Sequence, residues 1–188
     1  MLDILKETKE GDKKNKIDFG GYILHSADYW RSQWEFITDE TIKRNLGYQM
    51  QYLDFLISLY NSYEIYATIE SLIIKNIIVN VNLIIEAILS YSVGYLDKLK
   101  GKKQEESISE ESDPYRILIG KAYHEHKLIS KDLWHTLHEL RKQGNSRHFQ
   151  SEKEWELNKY KIENANDAID ILEEFRVEIL EFFSEFNK

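Results

Sequence analysis

The chain has 188 residues, no cysteine, one proline and eight glycines, with 33 Asp and Glu against 25 Lys and Arg and a formal charge of −8. That length suits one domain with a single core, and the lack of cysteine excludes disulfides, thiolate chemistry and cysteine-ligated zinc, while fitting a reducing cytoplasm. So few turn formers favour long helices over many short strands, and the acidic balance excludes broad electrostatic wrapping of nucleic acid, leaving only a local positive cleft with a brief grip.

Residues 1–18 mix Lys, Glu, Asp and Asn with isolated apolar residues and predict a mobile arm. Met1 to Glu7 lacks the apolar core of a signal peptide. Residues 19–188 predict a single helical domain. Between Phe19 and Phe36 the rings Tyr22, Tyr29, Trp30 and Trp34 cluster at irregular spacing, which reads as packing, with stacking on bases as the alternative for the first three. Thr38-Asp39-Glu40-Thr41 offers a helix start with an N-cap hydroxyl and early acids, and Leu46, Met50, Leu53, Phe55, Leu56 and Leu59 carry that helix to about Tyr60.

The segment from Glu64 to Lys98 sets two periodicities against each other. Val79 to Leu83 alternates as a β-branched strand would. Against that, Ile69, Leu72, Ile73, Ile77, Ile84, Ala87, Ile88 and Tyr91 recur at helical spacing over a stretch longer than ordinary strands, so a helix is predicted. Lys75, Asn76, Asn80, Asn82 and Glu86 interrupt the apolar run. A charge at the centre of a membrane helix costs roughly 2.5–3.5 kcal/mol, so the helix reads as buried in protein and not as a membrane span. Residues 98–113 carry lysines and then glutamates, the pattern of a solvated loop; guidance of RNA by the lysines is the alternative. Pro114 opens a helix over Tyr115 to His126, where its missing donor costs nothing.

Ser130 caps the next helix, with Asp132 in its first turn. Leu133, Leu137 and Leu140 give it an apolar face, and Gly144-Asn145 ends it. Arg141 thus stands at the end of a helix and His148 just beyond. A guanidinium stays charged while an imidazole titrates near neutrality, so the two together suit holding a phosphate and moving a proton beside it. Gln150 to Ile162 reads as a loop or short helix. Asn164 to Phe186 closes the domain with a stripe of Ala165, Ala168, Ile169, Leu172, Phe175, Ile179, Phe182 and Phe183.

Leu140-Arg141-Lys142-Gln143-Gly144-Asn145-Ser146-Arg147-His148, set between the helix containing Glu86 and the closing helix, resembles the signature of HEPN domains, an arginine followed after four to six residues by a histidine. The likeness spans about Ile65 to Phe186 and implies an all-α HEPN-like bundle of four or five main helices. Lys142 stands where many members carry a polar Asn, Asp or His, Gly144 where many carry a second arginine, and Gln150 where the nucleotidyltransferase-silenced toxins carry a tyrosine. The resemblance implies a metal-independent endoribonuclease of the bacterial toxin or anti-phage defence type, acting on RNA in the cytoplasm without a membrane, as a homodimer whose cleft is shared, under a possible antitoxin or sensor. A non-catalytic HEPN-like module binding RNA, a nucleotide or a protein partner is the alternative that Lys142 and Gly144 favour.

Cleavage by the 2′-hydroxyl needs a base, charge stabilisation on the phosphate and a proton for the leaving oxygen. His148 suits the base or acid and Arg141 the charge. Asn145 would orient the phosphate or the imidazole, and Arg147 would add a positive contact. Glu86 resembles the acid that many members place opposite the motif, and as a buried carboxylate it calls for a partner such as Arg141; an exposed glutamate is the plain alternative. The plain reading of Arg141 and His148 is a helix-end cap paired with Glu139 or Glu152. One histidine does not easily serve both proton steps, so two copies are expected to meet. No cofactor or metal is expected: His124, His126, His135 and His138 read as surface or supporting residues, and no Glu-x-x-His pair, Walker loop or nucleophile elbow is present.

Overall fold

Along residues 67–99 apolar side chains recur on more than one side of a helix, so that helix can be stable only at the centre of others. The computed structural model describes residues 24–101, 113–144 and 160–186, and among them six helices and no strand. These are α1 (Ala27–Ser32), α2 (Glu40–Ser62), α3 (Ala67–Leu99), α4 (Pro114–His124), α5 (Lys131–Gly144) and α6 (Ile162–Phe186). The all-α bundle expected from the sequence is present, with five main helices and the short α1 lying on α2. The predicted arm at 1–18, Tyr22, most of the charged loop, and the stretch containing Asn145, Arg147, His148 and Trp155 lie outside the described residues.

Helix α3 is the hub, packed by α2, α4, α5 and α6. Ile74, Ile77, Ile78, Val81, Ile84, Ile85, Ile88 and Leu89 are all buried, which decides the contest with a strand. At roughly 25 cal/mol per Å2, burying each such side chain contributes on the order of 1.5–3 kcal/mol, more than β-propensity differences of about 1 kcal/mol can reverse. Ile69 and Ala87, expected inside, are exposed. Among the described helices α3 alone is long and apolar enough to cross a membrane, and 61 % of its most apolar window is buried by the other helices.

The caps correct the sequence expectation in detail. The side chain at the start of α2 that accepts from Thr41 and Ile42 N–H is the carboxylate of Asp39. Thr38 instead turns to the Tyr91 hydroxyl, 2.9 Å from its N–H. Helix α4 starts as Pro114 predicts, with Asp113 as its cap, and ends at His124. Ser130 Oγ accepts from Leu133 N–H as expected, while Ser130 N–H donates to Glu178 of α6 at 2.7 Å, tying the α4–α5 turn to the closing helix. Lys98 and Leu99 belong to α3, not to a loop, and Lys100 Nζ donates to the Glu125 carbonyl at 3.1 Å, so this lysine is anchored and not a free guide for RNA.

Candidate functional site

Helix α5 buries Leu133, Leu137, Leu140 and Gly144 and so fixes which way Arg141 leaves the helix. Its last turn lies against Asn82 of α3. The Asn82 amide nitrogen donates to Ile78 O at 3.0 Å and to Leu140 O at 3.2 Å, the second bond tying the last turn of α5 to α3. Gly144 does more than end a pattern: a Cβ there would stand 2.5 Å from that amide nitrogen, so only glycine lets the two helices approach this closely.

Arg141, with 13 % of its side chain exposed, donates through Nη1 to Asp113 Oδ2. Asp113 does double duty, because its other carboxylate oxygen accepts from Arg116 N–H at 3.2 Å and caps α4. Asp113 carries no motif of its own in the sequence. Its signal was its place before Pro114, which marks a cap but cannot reveal a partner 28 positions away. Glu86, half-buried on α3 one turn beyond Asn82, faces the same region. Burial and then the Glu86 carboxylate push the buried Tyr115 phenol above its ordinary value; Arg141 opposes that rise and Asp113 adds to it. The structure therefore gathers Arg141, Glu86, Asp113 and Tyr115 from three helices at one end of α5. Arg141 Nε and Tyr115 OH are buried there, beside the Asp113 and Glu86 carboxylates, with no hydrogen-bond partner among the described residues. Asn145, Arg147 and His148 lie outside the described residues, and Lys142 is exposed and paired with Glu139 at 2.6 Å.

His126 has a structural setting. The ring of His126 is fully buried, with Nε2 at 2.9 Å from Asp97 Oδ1 and Nδ1 at 3.2 Å from Lys100 Nζ. A neutral ring protonated on Nε2 satisfies both bonds, and burial followed by the Lys100 charge holds the imidazole below its ordinary value while Asp97 pulls it back up. The ligand atoms of Asp97, Glu125 and His126 lie within 4.8 Å of one another, a spacing a metal ion would accept. Lys100 already takes the Nδ1 lone pair and Lys121 stands 3.7 Å from Asp97, so the donor set fits an ion-pair network better than a cation site. Two cavities lie away from Arg141, one of about 360 Å3 beside Phe36 and Phe183, the other of about 200 Å3 between Trp30, Asp54 and Arg176.

No family model matches the chain, and neither a curated protein nor a solved structure matches it.

Proposed function

We propose that the chain is a metal-independent endoribonuclease of HEPN type, a toxin or anti-phage defence effector acting as a dimer. The observation that carries this reading is the placement of Arg141, a permanent cation with one buried N–H that has no partner among the described residues, at the end of α5, from which the sequence leads on to His148. The 2′-oxygen forms a bond to phosphorus as it gives its proton to an imidazole, and the bond from phosphorus to the 5′-oxygen breaks as that oxygen receives a proton. Arg141 neutralises the charge gathering on the non-bridging oxygens. The imidazoles of two chains supply the two proton steps.

Purified full-length protein is expected to cut RNA in the presence of a chelator, and His148→Ala to lower the rate by about 100-fold or more, the usual weight of a general acid or base. Cleavage at the parental rate in that variant removes the assignment. The Arg141–Asp113 pair favours a second reading, a binding module in which Arg141 braces α4 against α5. Retention of RNA without any cutting would select it.

A further inference from the structure

At about 100° per residue, Lys131, Trp134, His135, His138, Arg141 and Lys142 share one stripe of α5, apart from the buried leucines and from the stripe bearing Asp132 and Glu139. The end of α4 meets the start of α5 through Trp134, whose ring lies 5.5 Å from Tyr123, 5.6 Å from His124, 4.5 Å from His135 and 4.9 Å from His138. At the other end Arg116, Arg141 and Lys142 converge on His138: burial and then these cations hold its imidazole below the ordinary value. Lys127, exposed beyond α4, lies 5.2 Å from the Tyr123 ring centre. Residues 113–144 carry six lysines and arginines against four carboxylates, a local reversal in a chain of −8.

We propose that this ridge of α4 and α5 is a binding surface for single-stranded RNA, phosphates lying on Arg116 and Lys131 and displacing Glu139 from Lys142, and bases against the accessible parts of the half-buried Trp134 and Tyr123 rings. The exposed cations Lys131 and Lys142 stand roughly 16 Å apart along α5, with Arg116 of α4 acting on His138 between them, and rings among the cations serve bases without regard to sequence. A duplex offers no free base face to them. The ridge runs into the nook at Arg141, so a strand lying on it is delivered to the site; the choice of RNA as occupant rests on the nuclease reading above.

The test is fluorescence anisotropy of a labelled twelve-nucleotide uridine oligomer with full-length His148→Ala protein, with and without Arg116→Glu and Lys131→Glu, both at exposed positions. The charge reversals are expected to weaken binding at least tenfold and to lower the slope of log affinity against log salt by about 1.4, at about 0.7 per lost phosphate contact. The milder pair Arg116→Gln and Lys131→Gln is to show the same slope change if the glutamates disturb folding. Unchanged affinity and slope overturn the proposal, as does binding to phosphatidylserine vesicles without binding to the oligomer. If the parental chain cuts no RNA while the ridge variants still lose binding, the nuclease reading fails and this surface stands.

Discussion

A Cβ added at Gly144 would lie 2.7 Å from Asn82 Cγ and 3.2 Å from its Cβ, as well as 2.5 Å from the amide nitrogen. Because that amide holds Leu140 O and Ile78 O, moving it aside forfeits buried hydrogen bonds. Gly144→Ala is therefore expected to cost about 1–3 kcal/mol, despite the roughly 1 kcal/mol that alanine ordinarily gains over glycine inside a helix. Denaturant unfolding of both single variants and the double variant checks the cause: with Asn82→Ala in place, Gly144→Ala should become neutral or stabilising. Equal losses in both backgrounds would place the cause elsewhere. Asp113→Ala is expected to cost about 1–2 kcal/mol through the lost cap of α4, with Asp113→Asn milder because asparagine also caps; a thermal melt of the two variants separates capping from the pairing with Arg141.

Among the elements, α3 sets the frame. Ile84 is fully buried and Ile69 is 55 % exposed, so Ile84→Ala is expected to cost about 2–5 kcal/mol and Ile69→Ala less than about 0.5 kcal/mol, read from urea midpoints. The helices themselves were legible in the sequence because apolar periodicity and local caps such as Ser130 and Pro114 act within a few residues. What could not be read is tertiary. Ile69 and Ala87 keep the helical period yet are exposed; Asp113 reaches Arg141 only once α4 lies against α5; and Asn82, read merely as an interruption of an apolar run, turns out to hold the end of the motif helix. Arg141 was legible as a cation at a helix end, while the carboxylate facing it was not. The expected partner Glu86 lies near Tyr115, in the same nook.

For the whole molecule, two histidines, the buried His126 and the half-buried His138, tie stability to pH. His126, facing Asp97, Lys100 and Glu125, and His138, facing Arg116, His135, Arg141 and Lys142, both have folded values below the ordinary one. The unfolded chain then binds more protons between the folded and unfolded values, so stability is complete above about pH 6.5 and is lost progressively as pH falls from there through the lower folded values. Glu173, held below the carboxylate range by its hydrogen bond to Arg176, adds a second loss as pH drops past its ordinary value. Urea unfolding between pH 8 and pH 5 is expected to show midpoints falling below about pH 6.5, and His126→Gln to flatten that fall; a midpoint constant across the range would remove the buried-histidine account.

The whole assembly is proposed to turn over RNA by an internal attack that needs no metal ion. Its most direct measurement is cleavage of two matched oligonucleotides in excess chelator, one all-ribose and one with a single 2′-deoxy residue at the cut position. Cleavage of the first to a 2′,3′-cyclic phosphate and a 5′-hydroxyl, with the second left intact at that position, is the predicted result. Both strands remaining whole, or both being cut at the same place, would contradict it.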